Sequence, residues 1–116
     1  MTLKPPQILA PRPPHRVLPI VNTLHAEILE EKAATLSRLT RVFETRLAAW
    51  REAEAAISAG KRLSRRRRQR LFDEAAEALW QFVVQREACG LRNTEAVLRE
   101  YGVPAALRLS MGAARR

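Results

Sequence analysis

Seven bases fall within ten consecutive positions of this chain: Lys61, Arg62, Arg65, Arg66, Arg67, Arg68 and Arg70. Guanidinium groups present fixed forks of donors that match phosphate and carboxylate oxygens, so such a run is chemistry for gripping an anion. No Phe, Tyr or Trp lies between positions 51 and 71. Base stacking on a single strand therefore has no platform inside the run. What is left is a hold on the phosphate backbone of a nucleic acid without sequence readout, or a contact with an acidic protein surface.

The other chemistry-bearing residues are dispersed. His15 and His25 lie far from the chain's single cysteine, and no cluster at metal-ligand spacing surrounds either, so no metal site is expected. Cys89 falls near the C-terminal end of a helical stretch beside Glu87, where the helix dipole and the acid disfavour a thiolate, so it reads as a packing residue. Glu30 with Glu31, Glu52 with Glu54, and Asp73 with Glu74 and Glu77 are paired carboxylates, but on helices they read as solvated or ion-paired faces. The four glycines stand singly at 60, 90, 102 and 112, so no phosphate-cradling loop is present and no cofactor is expected. These residues assemble no catalytic constellation, and the chain is read as non-enzymatic.

A length of 116 residues allows one compact domain. Nineteen Ala and fifteen Leu dominate the apolar fraction, which favours helix packed on helix. No apolar run is long enough to cross a membrane as a helix, and one cysteine gives no internal disulfide, so a reducing, cytoplasmic setting is expected. The net charge of +9 is unevenly placed: residues 60–70 carry +7, whereas 23–59 carry −1 and 71–101 carry −3. The excess at the run therefore decides where an anionic partner would bind.

Six of the seven prolines precede position 20, so residues 1–22 are expected to form an extended or disordered basic arm, with Val17 to Val21 docking on the helices. Pro11, Pro14 and Arg16 match a PxxPxR spacing that polyproline-binding grooves read, but the pattern is short and common in Pro-rich tails, and a solvated arm is the better reading. From Asn22 or Thr23 to Ala59 there is neither proline nor glycine, and Leu29, Leu36, Phe43, Trp50 and Ile57 recur every seven residues. That pattern predicts a helix over about 23–59, stopped at Gly60. Ser64 caps a second helix over about 64–89, with an apolar face of Leu71, Phe72, Ala75, Leu79, Phe82 and Val83. Shorter helices follow over about 94–101 and 104–111, then a basic tail over 113–116. The fold class is all-α: a long antiparallel helical hairpin with one or two short C-terminal helices and an extended Pro-rich N-terminal arm. Residues 23–112 make the single helical domain.

In that hairpin the run sits at the elbow, and its four consecutive arginines occupy the first turn of a helix, where the dipole disfavours cations. Three outcomes are open: an external polyanion binds there, the elbow is solvated and frays, or Glu52 and Glu54 from the first helix pair with it. The first-helix stripe is longer than its partner face, so a homodimer is also expected. A further alternative comes from Ala96 to Leu107, which superficially resembles the first helix and turn of a helix-turn-helix. There Leu98 is bulky where a small residue is favoured, and only Arg108 and Ser110 could reach base edges.

The stretch Leu79-Trp80-Gln81-Phe82-Val83-Val84-Gln85-Arg86-Glu87-Ala88-Cys89-Gly90-Leu91-Arg92, followed by Tyr101-Gly102-Val103-Pro104, resembles a family of small bacterial proteins of unknown function. The resemblance implies a bacterial cytoplasmic protein and carries no activity to any residue. The functional reading is a small helical binding protein that contacts a polyanion or an acidic partner through Lys61, Arg62, Arg65, Arg66, Arg67, Arg68 and Arg70. The alternatives are an adaptor acting by protein–protein interaction or self-association, and a helix-turn-helix regulator.

Overall fold

The structure, a computed structural model, describes residues 19–112. The expected arm before residue 19, with the PxxPxR spacing and His15, lies outside the described residues, as does the basic tail at 113–116. Four helices follow in order: α1 (Pro19–Ser58), α2 (Arg65–Ala88), α3 (Thr94–Tyr101) and α4 (Ala105–Ser110). Among the described residues there is no strand, and no helix is long and apolar enough to cross a membrane.

Helix α1 begins at Pro19, four residues before the expected start. Proline is preorganised for a first helical turn and needs no N–H partner there. Thr23, expected near the cap, instead donates its hydroxyl to the Pro19 carbonyl at 3.1 Å from inside the helix. Residues up to Glu31 form a unit of their own, in which Ile20, Val21, Leu24, Ile28 and Leu29 are exposed. Residues 32–112 belong to the second unit, which holds the core.

Within that second unit α1 and α2 run antiparallel. Their contacts step through Lys32 with Ala88, Phe43 with Phe82, Arg46 with Glu74, Trp50 with Phe72 and Glu54 with Arg68, an order nearly symmetric about Lys61. Lys32 ties one end: its Nζ donates to the Ala88 carbonyl at 3.3 Å, while its own carbonyl accepts from Gln85 Nε2 at 3.2 Å. A cation at the last carbonyls of α2 suits the negative end of that helix.

The core is made where α3 and α4 close over the hairpin. Phe43, Ala75, Leu79 and Leu107 are fully buried, with Leu47, Phe82 and Leu98 nearly so. Phe43 and Phe82 stack with ring centroids 4.9 Å apart, and Tyr101 meets Phe43 edge-on at 5.1 Å. The alanines of α2 let the neighbouring helices approach closely, which is why its buried face includes Ala76 and Ala78 beside the expected Ala75. Tyr101 donates its hydroxyl to Glu44 at 2.6 Å. Burial first, and then that carboxylate, push the phenol up to about 12. Arg51 Nη2 donates to the carbonyls of Tyr101 and Gly102, closing the C-terminal end of α3 from α1.

Candidate functional site: the basic elbow

The elbow is shaped by two local signals. Gly60 adopts φ +92°, a left-handed conformation that glycine takes without strain. The turn lets Lys61 N–H reach the Ala56 carbonyl at 2.9 Å and Gly60 N–H reach that of Ile57 at 3.0 Å, which closes the end of α1. Four residues later Ser64 stands in extended conformation and its hydroxyl accepts the Arg67 N–H at 3.1 Å. This is the N-cap that the sequence predicts. Lys61 and Arg62 lie in the connection, while Arg65 to Arg68 and Arg70 lie in the first two turns of α2. All seven bases are exposed.

Their pairing is unequal. Arg68 makes a two-pronged contact with Glu54, its Nε and Nη2 each 2.8 Å from a carboxylate oxygen. That hydrogen-bonded guanidinium holds the Glu54 carboxyl below its ordinary value, and the carboxylate in turn raises Arg68. Glu52, also expected beside the elbow, forms no ion pair among the described residues. Lys61, Arg62, Arg65, Arg66, Arg67 and Arg70 form no ion pair among the described residues. No acid stands in the first turn of α2 to offset them.

Beside the elbow a groove of about 1160 Å³ opens between α1 and α2. Along α2 its lining runs from Arg65, Arg66 and Arg70 through Asp73, Glu74 and Glu77 to Ala78 and Gln81, and Val42 lines it from α1. Arg46 of α1 borders it and pairs with Glu74 at 3.0 Å. The sequence reading missed this groove and the place of Arg46 in it. The signal available was hairpin register: positions equidistant from Lys61 face each other, which sets Arg46 across from the acids of α2.

The remaining candidates fall elsewhere. Cys89 follows the end of α2, with its thiol 3.5 Å from the Lys32 carbonyl and within 3.8 Å of Gln85 Nε2, a packed position. Glu74 is held by Arg46, and Asp73 and Glu77 accept from Gln69 and Gln81 at 2.9 Å. Among the described residues no three His, Cys, Asp or Glu side chains converge as metal ligands would. The helix-turn-helix segment forms α3, a turn at Gly102 to Pro104, and α4, which has only six residues. Arg108, one of its two residues able to reach bases, is instead ion-paired with Glu95. Leu98 and Leu107 pack into the core, so the segment closes the hairpin.

No curated protein and no solved structure matches this chain. One family model does, over residues 19–116, which takes in all four helices and the elbow and leaves out the residues before α1. By that match the chain belongs to the Family of unknown function (DUF6665).

Proposed function

We propose that this protein is a small, non-enzymatic helical binding protein whose elbow grips the phosphate backbone of a nucleic acid without reading its sequence. One observation carries the reading: of the seven elbow bases only Arg68 is paired, and six stand exposed with no ion pair among the described residues. Arg65, Arg66 and Arg67 crowd the positive end of α2, where each cation opposes the helix dipole. A row of phosphates would relieve that repulsion and release its own condensed counterions on binding. The absence of aromatic side chains in the run, and the capture of Arg108 by Glu95, favour a contact with backbone over a contact with bases.

The test is a titration of the protein with two duplexes of unrelated sequence at several salt concentrations. Equal affinity for both is expected, with a log–log salt slope no steeper than about −5, the ceiling for six contacts on B-DNA. No binding at low salt would remove this reading. A preference of several hundredfold for one duplex would return the helix-turn-helix alternative.

The acidic-partner reading rests on a different observation, the apolar floor of Val42 and Ala78 beside Arg65, Arg66 and Arg70. A phosphate backbone makes no use of such a floor.

A further inference from the structure

Five large apolar side chains stay exposed within one short stretch of α1: Ile20, Val21, Leu24, Ile28 and Leu29, each 46–62% exposed. At 100° per residue Ile20, Leu24 and Ile28 share one face, with Val21 at its edge. Glu27 and Glu31 run along the other edge, with Glu30 beside them. Residues 19–31 hold these three acids and no Lys or Arg, and all three acids lie toward the C-terminal end. Parallel pairing of this stripe with the same stripe of a second copy would set those acids against each other.

The groove of the second unit offers what the stripe lacks. Its floor is apolar, with Val42 41% exposed, and its basic end has Arg65, Arg66 and Arg70 without ion pairs among the described residues. Along α2 it extends from Arg65 to Gln81, a span of about 24 Å at helical rise. A helix over 19–31 is about 18 Å long, so it fits within that span. The charges also fix a direction: the acidic end of the docked helix meets the arginines, so it runs antiparallel to α2.

We infer that the groove is a docking site for residues 19–31 of a second copy of this chain, with Ile20, Leu24 and Ile28 on Val42 and Ala78, and Glu27, Glu30 and Glu31 against Arg65, Arg66 and Arg70. This contact shares Arg65, Arg66 and Arg70 with the phosphate reading, whereas Lys61, Arg62 and Arg67 do not line the groove, so the two are tested by different variants. Mutual exchange between two copies gives a closed dimer, and one-way docking gives longer assemblies.

Sedimentation equilibrium of the full chain at tens of micromolar and low salt tests it. The wild type should exceed its 13.2 kDa monomer mass. Ile28→Asp, at an exposed position, should weaken association at least about tenfold while the helical spectrum is unchanged. The decisive pair is a charge swap. One variant carries Glu27→Arg, Glu30→Arg and Glu31→Arg, and the other Arg65→Glu, Arg66→Glu and Arg70→Glu. Each alone should stay monomeric, and an equimolar mixture should assemble, because each then offers the other a complementary helix and groove. The first variant keeps every elbow base, so it should still bind duplex DNA, which separates this inference from the phosphate reading. A monomeric wild type would overturn the inference. So would an assembly that survives the groove variant, since the copies would then pair elsewhere.

Discussion

If the elbow grips phosphate as proposed, its four consecutive arginines divide into two roles, and substitution by glutamine reads them apart. Glutamine keeps good helix propensity and similar length while removing the charge. In the triple variant Arg65→Gln, Arg66→Gln, Arg67→Gln, the Arg68–Glu54 contact at 2.8 Å is left intact. Three lost phosphate contacts should make the salt slope shallower by about 2.7 on B-DNA. Because of that slope change, the affinity lost by substitution should shrink about fortyfold as salt rises from about 50 to 200 mM, with the greatest loss at the low-salt end. Stability should move the other way. Each removed cation relieves a helix N-terminus of a few tenths of a kcal/mol, about 1 kcal/mol in total, worth a Tm rise of about 4–8 °C for a domain of this size. Arg68→Gln should reverse the pattern: DNA binding changes little, whereas the melting temperature falls as Glu54 loses its partner. Fluorescence anisotropy at two salt concentrations, with thermal melts of the same samples, measures both quantities. If the triple variant binds as the wild type does and melts lower, the three arginines are structural and the division is wrong.

Three further outcomes follow from the core. Phe43→Ala should cost about 3–5 kcal/mol in urea unfolding, because the ring is fully buried between Phe82 and Tyr101. Leu29→Ala, two heptads earlier and 55% exposed, should cost under about 0.5 kcal/mol in dilute solution, so equal losses would refute the burial assignment. Tyr101 should ionise near pH 12 by ultraviolet titration, above the ordinary phenol value of 10. Since the folded value is the higher one, the stability from the neutral phenol is complete below pH 10 and is lost as pH rises toward 12. Tyr101→Phe should remove that alkaline loss. Cys89→Ser keeps a donor for the Lys32 carbonyl and should leave duplex binding unchanged with only a modest stability loss. A folded variant that no longer bound would give the thiol a functional role.

The fold was legible because its local and long-range signals agree. Gly60 and Ser64 bracket the elbow as expected, Gly102 follows α3, and the seven-residue spacing of Phe43 and Trp50 selects the face that meets Phe82 and Phe72. The start of α1 was misread because Thr23 is as good a cap as any, and only the chain's placement reveals Pro19 as a first-turn residue. Periodicity also treated Leu29 and Phe43 as equals. A repeating stripe marks which face can be buried and does not say how much partner exists to bury it. At the elbow the seven bases were plain, whereas the choice of Glu54 over Glu52 depends on the rotation of α1 against α2, a quantity no local pattern encodes.

The elbow breaks a rule that the rest of the chain keeps. Elsewhere among the described residues the bases at helix ends sit where the dipole favours them: Arg86 lies in the last turn of α2, Arg99 in the last turn of α3 and Arg108 in that of α4. Only the start of α2 carries cations against the dipole, and it does so four times in succession. The means to hold that helix start are nonetheless present, in the Ser64 cap and the bidentate Arg68–Glu54 contact. A helix start that is firmly anchored and then loaded with repelling charge has its disfavoured residues concentrated where the surrounding structure can tolerate them. Local stability is given up in this way where a surface is kept ready for something outside the fold. The same logic explains why the elbow's one ion pair reaches across to α1, while the unpaired bases are left to the connection, the groove and solvent.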